Sequence, residues 1–434
     1  MMRMIDIIEK KKENQVLSEA EINFFVEGYV HDQIPDYQVS ALLMAIYLQG
    51  MNDEETTFLT SAYANSGDTY DLSDIQGFKV DKHSTGGIGD KITLIYSPLA
   101  ASYGLKVCKL AGRGLGQTGG TIDKLESCPG WQCELSVPEF KEVINKVGMS
   151  VISQSENMVP GDKKIYALRD VTATVGSLPL IAASVMSKKL IMDADGLVLD
   201  VKVGDGAFMK DLDQAEALAK IMIKIGHHHQ RKMAVMLSNM NKPLGKTIGN
   251  ALEVREAWDT LHGKGPDDLN EVAATSVALS LVQAGLFEDI ETAKSDVFQK
   301  MQSGEAAHYL KAFIQAQGGD FSVIENYDQN FKTTQAIEIK ADKEGYLQFL
   351  SAGKLGTVSM KLGAGRETKT DVIDFAAGIV LNHQNGELVK KGEVVMTLYT
   401  NKDFNQEFVD DAKATFELIS TSSAEPAILK IIAD

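Results

Sequence analysis

Cysteine, proline and tryptophan are scarce in this chain of 434 residues, which contains 3 Cys, 9 Pro and 2 Trp. Cys108, Cys128 and Cys133 are too few and too unevenly spaced for a disulfide framework, and no CxxC pair provides a zinc or redox site. This cysteine usage suits a reducing compartment, so we expect a cytoplasmic protein. The sequence also lacks a low-complexity segment, a Pro-rich linker and a fixed-period repeat, which argues against fibrous and repeat architectures.

Basic residues are fewer than acidic ones: the chain has 43 Lys and Arg and 60 Asp and Glu, which gives a formal net charge of −17. A chain of this charge does not capture nucleic acid or an anionic membrane through its overall field. Charges interrupt the N-terminal apolar residues too early for a signal peptide, and no apolar run reaches membrane-spanning length. We therefore expect neither nucleic acid nor membrane as a partner, and any anionic ligand must meet a local positive site.

What the sequence does have is an ordinary globular composition, with 44% hydrophobic and 24% charged residues. At this length, the composition predicts a folded protein of two or three domains. The first segment, up to about residue 64, has a helical pattern in which Ser18 and Glu21 form a capping box before an apolar helix face. We therefore predict a small N-terminal helical domain at residues 1–66.

Short apolar runs alternate with helical patterns over the next part of the chain, which is typical of an α/β domain with a mainly parallel sheet. The predicted strands are 78–81, 105–110, 150–153, 196–203 and 234–237. We assign residues 67–162 and 194–330 to this domain, and expect the helical stretch at about 163–193 to rejoin the N-terminal bundle. Short alternating runs with glycines then predict a C-terminal β-rich α+β domain at 331–434.

The densest chemical signal is the segment DKHSTGGIGD at residues 81–90, between a predicted strand and a predicted helix. Its glycines let backbone N–H groups turn inward, and the start of the helix adds partial positive charge. Lys82 and Ser84 supply a cation and a hydroxyl, so the segment suits a phosphate. It is neither the Walker loop nor the dinucleotide-binding fingerprint, and a plain tight turn is the alternative.

A second glycine-rich segment, KLAGRGLGQTGGTIDKLE at residues 109–126, follows another predicted strand. Loops at the carboxyl ends of parallel strands share one crevice, so we expect the two glycine loops to face one anion from two sides. Two independent tight loops are the alternative. The residues by themselves thus indicate an anion-binding α/β protein.

Residues 111–126 resemble the signature of the thymidine and pyrimidine-nucleoside phosphorylases, and KHSTGG at 82–87 and YALRDVTATV at 166–175 are similar to the same family. The resemblance extends over essentially the whole chain, including DVKVGDGAFM at 200–209. It implies phosphorolysis of uridine, thymidine and deoxyuridine by inorganic phosphate, which yields the free base and ribose or deoxyribose 1-phosphate. It also implies a homodimer with no organic cofactor, in which the helical and α/β domains close during catalysis.

The resemblance assigns residues to both substrates. The residues implied to hold inorganic phosphate are Lys82, Ser84, Thr93, Lys109 and Thr121. The residues implied to hold the pyrimidine base are Arg169, Ser184 and Lys188. His83 would approach the base carbonyl as a hydrogen-bond donor or proton source. Because negative charge builds up on the departing base, we expect His83, Arg169 and Lys188 to carry catalysis by electrostatic stabilisation.

Two positions depart from the family pattern, since Ala111 stands where the family has Ser and Gln117 where it has His. The first change removes a hydroxyl that the family places on phosphate, which predicts weaker phosphate affinity. Lys109 is similar to the branch that accepts both uridine and thymidine, whereas the thymidine-restricted branch has an apolar residue there. We expect broad pyrimidine specificity, with restriction to thymidine and deoxyuridine as the alternative.

Members of the pyrimidine-nucleoside branch bind a monovalent cation, usually potassium. The positions that the resemblance implies for it are Gly89, Lys91, Leu244, Thr247 and Glu256. Lys91 departs from the family pattern. Its ammonium either replaces the ion near Glu256 or points to solvent while its carbonyl still binds potassium, and the sequence leaves both alternatives open.

Two other classes of protein compete with this interpretation. A related phosphoribosyltransferase would need carboxylates that hold Mg²⁺, and Asp123 and Glu126 alone do not provide them. A non-catalytic binding protein would be consistent with loss of the hydroxyl at Ala111. Taken singly, Arg169 beside Asp170 is typical of a structural ion pair, and consecutive lysines at 188–189 are typical of a solvated helix end.

Overall fold

The computed structural model describes residues 2–114, 119–368, 370–422 and 425–433. Its helices are α1 Met4–Lys12, α2 Glu19–Val30, α3 Asp36–Gln49, α4 Asp53–Ala64, α5 Ile92–Ser102, α6 Thr121–Leu125, α7 Val137–Val147, α8 Pro160–Val171, α9 Leu178–Leu190, α10 Leu212–His228, α11 Asn250–Thr260, α12 Asp267–Gln283, α13 Ile290–Ser303, α14 Ala307–Ala316, α15 Ser322–Glu325, α16 Tyr327–Asn330, α17 Ala352–Ser359 and α18 Gln406–Lys413. Its strands are β1 Lys79–Ser84, β2 Lys106–Ala111, β3 Met149–Ser153, β4 Gly196–Val203, β5 Lys232–Asn239, β6 Thr247–Gly249, β7 Gln335–Lys340, β8 Gly345–Phe349, β9 Gly378–Leu381, β10 Leu388–Val389, β11 Val394–Thr400, β12 Phe416–Ile419 and β13 Ile428–Ala433.

The N-terminal helices begin where polar side chains cap them. Ser18 and Glu21 form the predicted capping box at the start of α2, and Asn52 and Glu55 form a second one at the start of α4. Helices α1 to α4 pack with α8 and α9 around one apolar core. Members of that core include Phe25, Val39, Leu43, Ile165 and Leu180. The predicted helical part of the fold is confirmed.

The central sheet has the strand order β13-β5-β4-β1-β2-β3, and its strands β1 to β5 run parallel. Strand β4 is buried along its whole length because helices cover both faces of the sheet. Leu197 and Leu199 share a core cluster with residues of α10, whereas Val198 shares one with residues of α12. The predicted α/β domain with a mainly parallel sheet is confirmed.

The edge of this sheet beside β5 is covered by a strand that the sequence did not predict there. Strand β13 pairs antiparallel with β5, with Ile431 opposite Met236. The predicted range 331–434 therefore includes a strand of the central sheet. The reason is that β5 would otherwise present unpaired N–H and C=O groups along an open edge.

The remaining C-terminal strands form two antiparallel sheets, with the orders β10-β8-β12 and β6-β9-β11-β7. Strand β6 comes from the α/β part of the chain and pairs with β9, where Thr247 lies opposite Val380. This pairing joins the two parts through main-chain hydrogen bonds. The predicted β-rich α+β character of the C-terminal region is confirmed.

Candidate active site

Strand β1 extends past its predicted end. We predicted a strand at 78–81 followed by a turn, but β1 continues to Ser84 because His83 and Ser84 pair with β4. The polar side chains of this segment therefore stand on a rigid strand at the carboxyl edge of the sheet. The glycine-rich turn begins only after Ser84.

The carboxyl ends of β1 and β2 open into one cavity of about 380 Å³, which we call the polar cavity. The first glycine loop contributes residues 83–87 to its wall, and the second contributes residues 109–114 and 119–121. Thr93 of α5 and Lys188 of α9 also line it. The prediction that the two loops share one crevice is confirmed. Four of the five residues predicted for phosphate line this cavity, namely Ser84, Thr93, Lys109 and Thr121.

Ser84 and Asp90 fix the shape of the first loop. The Ser84 hydroxyl donates to the Asp90 carboxylate and accepts the Gly86 N–H at 3.1 Å. Asp90 also accepts the Ile92 N–H at 3.2 Å, at the start of α5. Burial raises the pKa of Asp90, but the nearby cations led by Lys202 outweigh it and hold that pKa below its ordinary value. Asp90 is therefore an ionised anchor for the loop.

Two lysines share one carboxylate behind the polar cavity. The Lys189 ammonium lies 2.8 Å from Asp81, whereas the Lys109 ammonium lies 3.4 Å from Asp81 and donates to the Lys82 carbonyl oxygen at 2.5 Å. Burial lowers the pKa of Lys109 to about 8, against the opposing effect of Asp81. The pair carries one more positive charge than Asp81 neutralises, which suits an anion in the cavity.

His83 lies near these cations. Burial lowers the pKa of its imidazole well below the ordinary value, and the positive charges of Lys189, Lys109, Lys82 and Lys188 lower it further. The ring is therefore neutral near pH 7. Of the two roles predicted for His83, a neutral ring favours donation of a hydrogen bond over delivery of a proton.

Lys82, the fifth residue predicted for phosphate, points into the protein interior. Its ammonium pairs with Asp200 at 2.8 Å, and Lys202 pairs with the same carboxylate at 2.7 Å. All three side chains are fully buried. Lys82 is absent from the described residues that line the polar cavity, so direct phosphate binding by Lys82 stays a prediction.

A second cavity, of about 500 Å³, adjoins the first and is mainly apolar. The two cavities share five lining residues, so they form one continuous cleft: His83, Ser84, Thr85, Gly86 and Val185. We call the second one the apolar cavity. Its remaining lining residues are Tyr166, Val175, Ile181, Ser184, Gly206, Ala207, Phe208, Met209 and Leu218. A flat organic ring next to an anion would fit this cleft.

Ser184 and Lys188 join the two cavities from one face of α9. The Lys188 ammonium donates to the Ser184 carbonyl oxygen at 2.9 Å and lies 3.0 Å from its hydroxyl. It also contacts the buried carboxylate of Asp162 in a close ion pair. Ser184 lines the apolar cavity and Lys188 the polar one, so the predicted spacing of four residues does place both side chains at the cleft.

Arg169, the third residue predicted for the base, is fully buried. Its guanidinium donates to the carbonyl oxygens of Val175 at 2.8 Å and Leu180 at 3.1 Å. Burial lowers the pKa of Arg169. It stands behind Val175, which lines the apolar cavity, and is not among the described lining residues. In this arrangement Arg169 supports the wall, and its direct contact with the base stays a prediction.

The second glycine loop is held by Asp123, which is 1% exposed. Its carboxylate accepts the Gly114 N–H at 2.6 Å and pairs with Arg366 of the C-terminal region at 2.9 Å. Arg113 pairs with Glu126 at 2.6 Å. These acidic side chains are thus engaged with arginines and the loop backbone. Gln117, the second departure from the family pattern, lies outside the described residues.

Sequence reasoning missed several residues of the cleft. Asp81 and Lys189 hold the charge balance of the polar cavity, Asp162 positions Lys188, and Tyr166 and Phe208 line the apolar cavity. Asp81 adjoins the predicted phosphate segment, and Lys189 adjoins Lys188, so their positions in the sequence were a usable signal. Asp162 had none, because its partner is far along the chain.

The five positions implied for potassium converge, but a side chain fills their centre. The Lys91 ammonium lies 3.0 Å from the Leu244 carbonyl oxygen, 2.9 Å from that of Thr247 and 2.5 Å from the Glu256 carboxylate. Gly89 packs against the same Leu244 oxygen. A potassium ion would have to share these oxygens with a second cation at close range, so the residues present do not fit the ion.

Comparison with known families agrees with this architecture. Residues 76–307 match the α/β domain of a glycosyl transferase family, and residues 5–67 match the helical bundle domain of the same family. Residues 346–418 match the C-terminal domain of pyrimidine nucleoside phosphorylases. The fold and the cleft are thus those of a glycosyl-transferring enzyme.

Similar proteins narrow this class. A pyrimidine-nucleoside phosphorylase from Staphylococcus haemolyticus is 49% identical over 433 residues, which cover 100% of each chain. One from Geobacillus stearothermophilus is 52% identical over 412 residues, covering 95% of this chain and 94% of the relative. The chain belongs to the pyrimidine-nucleoside phosphorylase family, and the predicted resemblance and enzyme class are confirmed.

Among solved structures, the crystal structure of anthranilate phosphoribosyltransferase from Thermus thermophilus is similar in fold. It aligns with a TM-score of 0.59 and 17% identity, and the match covers 72% of this chain and 99% of that one. At this identity, the likeness concerns the fold alone.

Proposed function

We propose that this enzyme cleaves uridine, thymidine and deoxyuridine with inorganic phosphate, releasing the free base and ribose or deoxyribose 1-phosphate. The observation that carries the proposal is the continuous cleft, in which a cation-rich polar cavity adjoins an apolar cavity across His83 and Ser84. Phosphate suits the first cavity, the pyrimidine ring suits the second, and the sugar would lie between them.

The polar cavity supports phosphate through three kinds of donor. Residues of the two glycine loops line it and offer backbone N–H groups, Thr93 and Thr121 line it and offer hydroxyls, and Lys109 and Lys188 supply positive charge. Charge-assisted hydrogen bonds of this kind are the strong ones. A cavity that holds both reactants also lowers the entropic cost of bringing them together.

The chemistry balances without a covalent intermediate on the protein. A phosphate oxygen forms a bond to the anomeric carbon of the sugar while the bond from that carbon to the ring nitrogen breaks. The electron pair leaves with the base, so negative charge grows on the pyrimidine and positive charge on the sugar. Lys188 offsets the charge on the base, and the neutral His83 ring donates a hydrogen bond to the base carbonyl.

The nearest competing function is restriction to thymidine and deoxyuridine. Lys109 favours the broader specificity, because a lysine at the polar cavity can donate to a ribose hydroxyl as well as to phosphate. The phosphoribosyltransferase alternative is less favoured, because Asp123 and Glu126 pair with arginines and are poorly placed to hold Mg²⁺.

The deciding experiment incubates the enzyme with each of the three nucleosides, with and without phosphate, and follows the free base by absorbance. Phosphate-dependent release from all three is the expected result. Release from the two deoxynucleosides alone would select the thymidine-restricted function. Binding of nucleoside without release of base would revive the non-catalytic alternative.

We also propose that the enzyme is a cytoplasmic homodimer. Three free thiols, at Cys108, Cys128 and Cys133, are buried in the structure, which suits a reducing compartment. No helix within the described ranges has the length and apolarity to cross a bilayer.

The proposed dimer has a candidate surface on the N-terminal helices. Helix α3 exposes Tyr37, Tyr47 and Leu48, a face that a second copy could cover. Sedimentation equilibrium would distinguish a dimer from a monomer.

A further inference from the structure

We propose that the Lys91 ammonium is a built-in replacement for the potassium ion, so that this enzyme carries its own monovalent cation and needs none from solution. Ammonium and potassium carry the same charge and are similar in size. The positions that the resemblance implies for potassium therefore have the right chemistry for either cation. In this chain, one of those positions is itself a lysine.

The hydrogen bonds of Lys91 account for all of its donors. An ammonium has three N–H groups, and three acceptors lie in range: the carbonyl oxygens of Leu244 at 3.0 Å and Thr247 at 2.9 Å, and the Glu256 carboxylate at 2.5 Å. Thr247 contributes its hydroxyl at 3.4 Å as a longer contact. The oxygens that would coordinate a metal cation thus accept hydrogen bonds from the Lys91 ammonium instead.

The Glu256 carboxylate likewise has hydrogen-bond donors for both of its oxygens. Its carboxylate accepts the backbone N–H of Lys246 at 2.7 Å and the hydroxyl of Thr247 at 2.6 Å, in addition to Lys91. Neutralisation and hydrogen bonding of both charges are what a buried ion pair needs to be tolerated. No unpaired charge is left at this position for a further cation to neutralise.

The second alternative from the sequence, with Lys91 pointing to solvent, does not match the structure. The Lys91 side chain is 0% exposed, and the Glu256 side chain is 8% exposed. Space around the ammonium is also closed. A Cβ atom on Gly245 would lie 3.0 Å from the Lys91 nitrogen and 2.9 Å from a Glu256 oxygen, and Gly245 has a φ of +75°. The site therefore fits one small cation and no more.

The ammonium connects parts of the enzyme that are separate along the chain. Lys91 is the N-cap residue of α5, which carries Thr93 to the polar cavity. Two of its acceptors, Leu244 and Thr247, precede α11, and Thr247 belongs to β6, the strand that pairs with β9 of the C-terminal region. The third acceptor, Glu256, lies in α11. Lys91 thus ties the phosphate-binding loop to the segment that joins the two β regions. A cation supplied in this way is never lost to dilution or ion exchange.

The test compares the wild-type enzyme with Lys91→Ala, which removes the ammonium and leaves the oxygens. Melting temperature is recorded between about 1 and 100 mM KCl, with tetramethylammonium chloride to hold ionic strength constant, because a ligand of the folded state raises it. The wild type should show no potassium-specific shift, whereas Lys91→Ala should gain a saturable rise of several degrees. This readout is independent of activity, so it separates the present proposal from the proposed function.

Lys224→Ala is the matched control, because Lys224 forms an exposed ion pair with Asp53 at 2.5 Å and lies outside the cleft. It should melt like the wild type in both salts. A saturable potassium-specific rise in the wild type, or no potassium response in folded Lys91→Ala, would overturn the proposal. If Lys91→Ala folds in neither salt, thallium-205 NMR of the wild type decides: a bound signal overturns the proposal, and its absence supports it.

Discussion

Lys91 and Lys109 are both buried lysines behind glycine-rich loops, yet their surroundings differ. Lys91 is 1% exposed and has a carboxylate at 2.5 Å, whereas Lys109 is 4% exposed and lies 3.4 Å from a carboxylate that also pairs with Lys189. The first cation is satisfied by the protein, and the second is only partly satisfied. Depth of burial thus does not distinguish a structural lysine from a ligand-binding one, but the supply of partners does.

The comparison predicts its largest effect on stability. Lys91→Met should lower the free energy of unfolding by about 3–5 kcal/mol, because Glu256 would remain as a buried charge without its partner. Lys109→Met should cost much less, because Asp81 keeps Lys189. Urea unfolding of both variants, followed by circular dichroism, measures the difference. Equal losses of unfolding free energy in the two variants would mean that the protein satisfies Lys91 no better than it satisfies Lys109.

Lys188 gives the sharpest effect on turnover. Lys188→Ala should reduce kcat by about 100- to 1000-fold, the usual loss when one electrostatic stabiliser of the departing charge is removed. Its partner Asp162 is buried, so the variant should also lose stability, and kcat is measured well below its melting temperature. Steady-state kinetics with uridine would measure the loss. Near-normal turnover would contradict the role given to Lys188.

Lys109 should make phosphate binding depend on pH. Its pKa is lowered to about 8, so the side chain is charged below that pH and loses its proton as the pH rises through it. The KM for phosphate should therefore rise about tenfold per pH unit above about pH 8. Lys109→Arg keeps its charge and should flatten this rise. A phosphate KM that stays constant from about pH 7 to pH 10 in the wild type would contradict the claim that Lys109 binds phosphate and has a lowered pKa.

Ala111 predicts the smallest effect. Its methyl group lines the polar cavity beside the second glycine loop. Ala111→Ser should restore one hydrogen bond to a charged ligand, which at about 1.5 kcal/mol corresponds to roughly tenfold tighter phosphate binding. The KM for phosphate at pH 7 measures it, with Ala111→Val as a control that adds volume without a donor. An unchanged KM in the serine variant would mean that other donors already compensate.

Much of the fold could be predicted because its signals are local. Strand β4 matches the predicted range 196–203, since a run buried on both faces is mostly apolar, and its two charged residues, Asp200 and Lys202, pair with each other. The shared crevice of the two glycine loops followed from the rule for parallel strands. Strand β13 could not be predicted as part of that sheet, because its pairing with β5 depends on an edge far away in sequence.

The sequence predicted which residues lie at or near the cleft, but not the directions in which the long side chains among them point. Ser84, Thr93 and Thr121 are short side chains, so the position of the backbone decides where they point. Lys82 and Arg169 are long, and each turned toward buried acceptors: Asp200 for the first, and backbone carbonyl groups for the second. Partners that lie far apart along the chain leave no pattern in a single sequence.

Strand β13 also has a consequence for how the chain is made. Strand β5 leaves the ribosome long before residues 428–433, so its outer edge is open while most of the C-terminal region is still being synthesised. An unpaired edge of this kind is a template for pairing with another chain. The nascent enzyme therefore passes through a period in which the outer edge of β5 is open to pairing with another chain, a hazard that the finished fold removes.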